Sequence, residues 1–398
     1  MRTDETAGSR DVALVGGHVV PVAGDPVSGG TVLVEDGRIT AVGADVRVPA
    51  HVPVVDVRGR WVLPGLVDAH SHLGLIEDGE GWAGADGNEV TDPNGARLRA
   101  LDGINPADPA FADALAGGVT CCLVKPGSSN PIGGQAVAIK TWGRTVDELT
   151  VRAPAGVKSA LGENPKRAYG DRQALPSTRM GTVAVLRDAF VAARDHVASA
   201  ADGSAPKTHH GHEALAGVLA REYPLFQHAH RADDIATAIR LADEFGYRLV
   251  LVHATEARFV AGLLAERDVP CVIGPLIHSR SKVELRQRDP VTAAVLVRAG
   301  VPVALTTDHP FVPIDLLALQ AILAVRAGLA PDDALRAITV VPAAIMGLAD
   351  RVGALRPGLD GDVVVWSGNP LDIYQRVLRV FVSGREVFTA TDTSVDAE

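Results

Sequence analysis

The chain has 398 residues, of which 47% are hydrophobic and 22% charged, and its formal net charge at pH 7 is −10. This composition predicts a folded protein with a large core and excludes an intrinsically disordered chain. The negative charge and the lack of a basic stripe argue against a nucleic-acid partner, and no apolar run approaches the ~20 residues that span a bilayer. Because only Cys121, Cys122 and Cys271 are present, without a signal-peptide pattern, a cytoplasmic location is expected.

Short apolar runs separated by turn residues fill the amino-terminal section of the chain and return near its carboxyl end. They occur over residues 11–63 and again over residues 358–390. This alternation is typical of short antiparallel strands and hairpins. Because a few strands at each terminus cannot bury a sheet face alone, we expect the two sections to form one small β-sandwich domain.

Between these sections, over residues 64–357, apolar strands alternate with helical stretches. Residues 235–245 place their apolar side chains on one helical face, and Pro290 stands where a second helical stretch, 291–298, begins. Alternation of strand and helix predicts right-handed parallel crossovers. The expected fold is therefore α/β, with a (β/α)8 barrel of the TIM type in this section.

Several strands of this section end in residues that bind metals. His70 and His72 end the first strand, and a spacing of two places both side chains on the same side. The later strand ends carry the other members of the set: Glu163, His228, His230, His253 and Asp308. In parallel α/β barrels the catalytic groups come from the carboxyl ends of several strands. The set therefore predicts a transition-metal site, which usually takes three or four nitrogen and oxygen ligands.

These motifs resemble the metal-dependent amidohydrolase superfamily, most closely its imidazolonepropionase-like branch. The resemblance extends from about residue 11 to residue 387, and it rests on the segments 65–72, 162–167, 228–234, 252–253, 306–310, 353–358 and 361–364. It implies the barrel and the β-sandwich described above. It also implies that the protein hydrolyses a carbon–nitrogen bond with a metal-activated water.

The resemblance also implies roles for individual residues. The expected metal ligands are His70, His72, Glu163, His230, His253 and Asp308. They would hold one or two divalent ions, with Zn²⁺ the usual expectation and Fe²⁺ or Mn²⁺ permitted. Asp308 is the expected general base, and His253 would stabilise the developing oxyanion. His230 is favoured over His228 as the ligand because its spacing to Asp233 is similar to the family's His-x-x-acid form.

The resemblance allows two kinds of residue to bridge two metals, because many relatives use a carboxylated lysine and others a glutamate. Lys158 lies five residues before Glu163, so on one strand the two side chains point to opposite faces. They would also be ~17 Å apart at ~3.3 Å per residue. Lys158 is therefore not expected to share the metal with Glu163 unless the strand bends strongly. Glu163 is the expected ligand, and Lys125, at another strand end, is the competing lysine.

Two long segments, 77–105 and 164–180, leave strand ends and are expected to wall the mouth of the barrel. Positive charge in the second segment, together with Arg280 and Lys282, predicts an anionic substrate such as a carboxylic acid. The expected substrate-binding residues are His228, Arg167, Tyr169, Arg280 and Lys282. The alternative is that these cations pair with acidic residues of 77–86 across the rim. His209, His210 and His212 are expected to be exposed residues at the start of a helix.

The expected reaction is hydrolysis of an amide, cyclic amide or amidine in a small molecule or short peptide. One variant is a peptide-processing hydrolase of natural-product maturation, similar to the amidohydrolase of bottromycin-type pathways. A heterocycle deaminase is a second reading, although Asp233 stands where such enzymes carry a glutamate. An inactive barrel that serves as a scaffold is a third, and the retained ligand set counts against it. A homo-oligomer is compatible with the sequence, and neither a nucleic acid nor a membrane is expected as a partner.

Overall fold

The computed structural model describes residues 9–201 and 209–391. The strands of the amino-terminal section and of the barrel's first half are β1 (Val12–Val19), β2 (Val27–Glu35), β3 (Arg38–Gly43), β4 (Val54–Asp56), β5 (Trp61–Pro64), β6 (Leu66–Ser71), β7 (Val119–Val124), β8 (Ile132–Lys140) and β9 (Thr150–Ala160). The later strands are β10 (Leu225–Ala229), β11 (Leu249–His253), β12 (Cys271–Ile273), β13 (Val303–Leu305), β14 (Val363–Trp366), β15 (Val377–Val382) and β16 (Arg385–Thr389).

In chain order, the helices lie between barrel strands or between the last barrel strand and β14. They are α1 (Ala110–Ala116), α2 (Val146–Leu149), α3 (Glu163–Gly170), α4 (Arg179–Ala201), α5 (His210–Leu219), α6 (Ala232–Phe245), α7 (Ala261–Glu266), α8 (Val291–Arg298), α9 (Leu317–Arg326), α10 (Pro331–Arg336) and α11 (Val340–Ile345). Within residues 9–201 and 209–391, no helix is both long and apolar enough to cross a membrane.

Eight strands form the barrel sheet, in the order β13–β12–β11–β10–β9–β8–β7–β6. A buried cluster that includes Val67, Leu123, Phe226 and Val252 draws members from every strand of this sheet, so it fills the interior of the barrel. Most neighbouring strands are parallel, but β8 is antiparallel to both β7 and β9. The connection 125–131 is too short for a crossover helix, so the chain turns back on itself there. The predicted TIM-type barrel is confirmed, with β8 as a departure from strict strand–helix alternation.

Side chains close the barrel between its first strand, β6, and its last, β13. Thr306 Oγ1 donates a hydrogen bond of 2.7 Å to the carbonyl of His70. Asp68 Oδ2 accepts from both the backbone N–H (3.0 Å) and the hydroxyl (2.8 Å) of Thr307. The backbone of His72 donates to the carbonyl of His309 at 2.9 Å. These bonds hold residues from the two ends of the barrel section next to each other.

A second sheet combines strands from both ends of the chain, as the sequence predicts. Its order is β16–β15–β14–β5–β1–β2–β3, and β4 pairs with β1. Apolar residues on its two faces, exemplified by Leu14 and Phe381 on one and Leu33 on the other, are buried in separate clusters. The fold class, a barrel with a small β-sandwich from the termini, is therefore confirmed. The domain boundaries at 63/64 and 357/358 stay predictions.

A buried group of ion pairs joins β8 of the barrel to the segment that leads into β14. Lys140 Nζ lies 2.5 Å from Asp362 Oδ2 and 3.0 Å from Asp360 Oδ2. Asp360 also pairs with Arg351 at 3.0 Å. Lys140, Asp360 and Asp362 are each at least nine-tenths buried. Removing the lysine therefore leaves two buried carboxylates short of a counter-charge.

We expect Lys140→Met to lower the free energy of unfolding by about 3–5 kcal/mol, because it breaks a buried ion pair. Arg144→Met is the matched control, since Arg144 is exposed and pairs only loosely with Glu148, at 3.7 Å; it should change the free energy by about 1 kcal/mol or less. Denaturant unfolding of both variants measures the difference. Equal effects would show that the buried pair does not stabilise the junction.

Candidate metal centre

Asp308 lies among three histidines at the carboxyl ends of the barrel strands. Its Oδ1 is 2.9 Å from Nε2 of His70 and 3.5 Å from Nε2 of His72. Its Oδ2 is 4.0 Å from Nε2 of His253. His70, His72 and Asp308 offer ligand atoms that all lie within 4.8 Å of one another, and each residue is buried. The structure therefore brings together four of the predicted ligands, from β6, β11 and the end of β13.

The backbone is strained at two of these residues. His253 has φ +69° and Asp308 has φ +55°, the left-handed region that residues other than glycine rarely adopt. Such conformations cost on the order of 1–3 kcal/mol and are concentrated at functional sites. Both occur where the chain leaves its strand, so the strain sets the position of a side chain in the cluster.

Hydrogen bonds at the far nitrogen orient several of the imidazoles. His72 Nδ1 lies 2.7 Å from the carbonyl of Lys125, and His253 Nδ1 lies 2.8 Å from the carbonyl of Gly274. A carbonyl only accepts, so both Nδ1 atoms carry the proton and both Nε2 atoms keep a free lone pair. His230 Nδ1 is similarly bonded to Thr255 Oγ1 at 2.7 Å. This is the arrangement found around histidines that ligate metals.

Unsatisfied buried atoms show that the group fits a cation. Among the described residues, no hydrogen bond reaches either ring nitrogen of His70, Nε2 of His230 or Oδ1 of Asp308. The short contact between His70 and Asp308 lacks hydrogen-bond geometry. Buried polar atoms without partners cost about 1–3 kcal/mol each. A divalent cation beside Asp308 would give a partner to Oδ1 of Asp308 and to one ring nitrogen of His70. A mixed imidazole and carboxylate set suits zinc, iron or manganese.

The protonation states also suit a metal. Burial lowers the pKa of His70 and of His230 well below the usual value, and it lowers the pKa of His253 to about 4. Burial alone would raise the pKa of Asp308, but the neighbouring His253 and His70 outweigh it and hold that pKa well below its usual range. At neutral pH the histidines are therefore neutral and the aspartate is ionised, which are the forms that bind metal.

Asp68 supports this cluster and was missed as a functional residue. It is fully buried, and its Oδ1 accepts a 3.0 Å bond from the backbone of His70 while its Oδ2 binds Thr307. Burial raises its pKa. The carboxylate thus fixes the end of β6 against the residue before Asp308. The sequence feature that could have identified Asp68 is its position two residues before His70 on an apolar strand.

Two lysines lie inside the barrel beneath the cluster. Lys125 Nζ donates to the carbonyl of Ala69 at 2.9 Å and sits 4.3 Å above the ring of Phe226. Lys158 pairs in register with Phe226, so it faces inward as well, and it is 1% exposed. Burial is the largest cause of the lowered pKa of His253, and the charge of Lys158 lowers that pKa further. The charge of Asp308 raises the pKa of Lys158, which burial lowers. The expectation that Lys158 lies far down the strand, away from the metal, therefore needs correction.

Glu163, the expected bridging ligand, lies elsewhere. The strand β9 ends at Ala160, and Glu163 is the first residue of α3, so the turn at Gly162 (φ +84°) carries it away from the strand axis. The structure places Glu163 in neither group of potential ligands. Its backbone N–H donates to Glu284 Oε1 at 2.8 Å.

Glu284, which sequence reasoning missed, lies instead beside the strand-β10 histidines. A carboxylate oxygen of Glu284 is within 4.8 Å of ring nitrogens of both His228 and His230. Arg179 holds its Oε1 at 3.0 Å, whereas its Oε2 is buried and has no hydrogen-bond partner among the described residues. Glu284 belongs to a loop whose sequence has no periodic pattern, so nothing in the local sequence identified it as a site residue.

A cavity of about 310 Å³ opens above the cluster of His70, His72, His253 and Asp308. His228 and Lys282 line it, as expected of substrate-binding residues, and Lys282 Nζ donates to Asn164 Oδ1 at 3.1 Å. The cavity also exposes apolar side chains: Ile76, Ile273, Leu276, Leu285 and Phe311.

Three of the expected substrate-binding residues do not line this cavity. Arg167 is exposed on α3, where it faces Asp171 at 3.6 Å. Tyr169 is buried and donates its hydroxyl to Asn130 Oδ1 at 2.8 Å. Arg280 turns back onto its own loop and donates to the carbonyl of Arg286 at 3.1 Å. The three residues stabilise the segments around the mouth, and the structure gives them no contact with the cavity.

The histidines near α5 lie away from the site, at the position expected of them. His209 is the N-cap residue of α5, and its Nδ1 accepts from the backbone of His212 at 3.2 Å. The rings of His209 and His212 stack at 3.7 Å. His210 is exposed.

Comparison with known proteins identifies the family of this barrel. The sequence matches the amidohydrolase family over residues 61–387. The crystal structure of an amidohydrolase from Thermotoga maritima MSB8 is similar, with a TM-score of 0.93 and 45% identity over 95% of this chain and 100% of that one.

Two further relatives come from the sequence comparison. Amidohydrolase tasK of Hapsidospora irregularis is 30% identical over 90% of this chain, which spans only 40% of the length of tasK. An imidazolonepropionase from Mesorhizobium japonicum is 26% identical, over 85% of this chain and 87% of that enzyme.

The family match and these relatives support a hydrolase that acts on carbon–nitrogen bonds. The chain belongs to the amidohydrolase family, as an imidazolonepropionase-like member. The resemblance that the sequence motifs indicate is therefore confirmed.

Elemental analysis of the purified protein should detect about one to two divalent ions per chain, since a metal site usually takes three or four N/O ligands. His70→Asn should weaken metal affinity by at least ~10-fold, because changes even around a ligand have that effect. His210→Asn, at an exposed histidine outside the cluster, is the control and should keep the wild-type content. Unchanged metal content in His70→Asn would contradict the assignment.

Proposed function

We propose that the protein is a divalent-metal-dependent hydrolase that cleaves an amide, cyclic amide or amidine bond in a small molecule or short peptide. The observation that carries this proposal is the contact of Asp308 with His70, His72 and His253 at the base of a cavity. The hydrolase class follows from the family, and the metal and the substrate are the proposed part.

The proposed ligands are His70, His72, His230, His253 and Asp308, and Lys158, once carboxylated, would serve as a further ligand in place of Glu163. Burial lowers the pKa of Lys158 to about 8, so a useful fraction of its amine is neutral and able to take up carbon dioxide. His230 is favoured over His228 because its Nδ1 is bonded to Thr255 while its Nε2 is free. Zinc is the first candidate, and iron or manganese would suit the same donors.

A bound divalent cation would lower the pKa of water toward neutrality and polarise the carbon that is attacked. Asp308 is the residue in position to take the proton of that water. Its Oδ1 faces His70 and His72, which leaves Oδ2 for the proton. The same oxygen can return the proton to the departing nitrogen.

His228 is proposed to contact the substrate. It lines the cavity, and its Nε2 is 3.5 Å from the side-chain nitrogen of Asn164. Lys282, bonded to the other end of the same amide, is proposed to bind an anionic group of the substrate. His228 lies near the end of β10, and Asn164 and Lys282 follow β9 and β12.

The deaminase reading finds less support. Deaminases of this kind normally carry a glutamate as proton shuttle three residues beyond the histidine of this strand, and the chain has Asp233 there. Asp233 is instead paired with Arg231 at 2.8 Å on the surface side of α6. The scaffold reading is disfavoured by the intact group of potential ligands.

Asp308→Asn should lower kcat by about 100- to 10,000-fold, because an amide cannot accept the proton that general-base catalysis requires. Much of the bound metal should remain, since the amide oxygen can still coordinate weakly. Asp332→Asn, at an exposed residue of α10, serves as the control. Turnover of an amide substrate and metal content are measured on the same preparations. A wild-type rate for Asp308→Asn across pH would exclude Asp308 as the base.

A further inference from the structure

The loop 274–290, which follows β12, forms one wall of the cavity and is held in place by hydrogen bonds. Arg258 Nη1 donates to the carbonyl of Gln287 at 2.7 Å, and Arg280 Nε donates to the carbonyl of Arg286 at 3.1 Å. Gln320 Oε1 accepts from the backbone of Leu276 at 2.6 Å. The loop therefore presents its remaining side chains to the cavity from fixed positions.

Lys282 is the cation of this loop nearest to the histidines. Its Nζ has one hydrogen bond, to the neutral amide oxygen of Asn164, and forms no ion pair within 4.0 Å among the described residues. Burial lowers the pKa of His230, and the charge of Lys282 is the next cause. An ammonium group with spare donors thus lies next to the reacting centre.

Arg288 is a second cation in the same wall, and sequence reasoning did not select it. It lines the cavity, and its Nη1 donates to the carbonyl of Leu276. Its Nε is buried without a hydrogen-bond partner among the described residues. The adjacent Asp289 also lines the cavity, but its Oδ1 accepts from the backbone of Val291 at 3.0 Å and forms no ion pair with Arg288. A buried guanidinium donor without a partner is costly unless a ligand supplies the acceptor.

The two cations have different neighbours in the cavity. Lys282 is bonded to Asn164, whose side-chain nitrogen lies 3.5 Å from Nε2 of His228. Arg288 is bonded instead to the carbonyl of Leu276. The same loop contributes apolar Leu276 and Leu285 to the cavity, which suit a short methylene chain.

We propose that the cavity accepts amides of dicarboxylic amino acids. Lys282 binds the carboxylate beside the scissile amide, and Arg288 binds the carboxylate at the end of the side chain. This inference rests on the proposed hydrolase function. In the reaction one water is consumed: the acyl carbon gains the hydroxyl, the C–N bond breaks, and the amino-acid nitrogen takes the proton that Asp308 carries. Arg288, not Arg280, determines specificity.

Matched substrate pairs test this with the holoenzyme. The pairs are Ala-Glu with Ala-Gln, Ala-Asp with Ala-Asn, and N-acetyl-L-glutamate with N-acetyl-L-glutamine, which differ in one charge at nearly constant shape. For the pair that fits best, kcat/KM should be on the order of 10- to 100-fold higher for the acid, because a charged hydrogen-bond partner is lost in the amide. Arg288→Met should lower kcat/KM for the acid to the value for the amide, so that the preference for the acid is lost.

Arg286→Met is the matched control, because Arg286 belongs to the same loop but is exposed and does not line the cavity. It should keep the wild-type preference. Arg288→Lys should keep part of the preference, since it retains the charge and loses the planar geometry. Thermal unfolding of each variant checks that the loop change has not unfolded the protein.

Equilibrium binding of N-acetyl-L-glutamate and N-acetyl-L-glutamine by calorimetry separates this inference from the proposed function. Tighter binding of the acid that depends on Arg288, with no amide hydrolysed, would support the Arg288 contact and contradict the hydrolase proposal. If the wild type bound the acid and the amide with equal affinity and hydrolysed them with equal kcat/KM, the inference would be overturned. A preference that survives in Arg288→Met would overturn it too.

Discussion

The site depends on the hydrogen bonds that close the barrel between β6 and β13. Asp68 accepts from His70 on its own strand and from Thr307 beyond the last strand, and Thr306 donates to the carbonyl of His70. Since Asp68 is fully buried, its bonds operate in a low dielectric and are costly to break. They bring His70 and Asp308, which are far apart in sequence, to a separation of 2.9 Å. Without them the first and last barrel strands would not share one metal site.

The remaining side chains act on that pair from the neighbouring strands. His253 and His72 are oriented by carbonyl oxygens of Gly274 and Lys125, so the backbone of adjacent strands determines which ring nitrogen is free. Burial keeps His70, His230 and His253 neutral while Asp308 stays ionised. The result is a concentrated set of lone pairs with little competing protonation, which is what a divalent cation requires.

The sequence predicts the parts of this protein that follow from local pattern. His70 and His72 can be assigned because a spacing of two on a strand gives one face, and the barrel follows from alternating strands and helices. The antiparallel β8 could not be predicted, because a short apolar strand carries no mark of its direction. The inward position of Lys158 depends on where β9 ends and on the reach of a long side chain, and spacing to Glu163 alone gave the wrong geometry. The choice between Arg280 and Arg288 depends on which carbonyls each guanidinium meets, and that is a tertiary property.

Anomalous diffraction from crystals of the purified enzyme, recorded on both sides of the zinc, iron and manganese edges, shows whether Asp308 binds a metal and which residues hold that metal. We expect a metal peak at ~2.0–2.2 Å from His70, His72 and Asp308, with added density on the side chain of Lys158 and none linking the metal to Glu163. An active enzyme with no anomalous peak at Asp308, or with its metal held by Glu163, would show that this metal site is wrongly assigned.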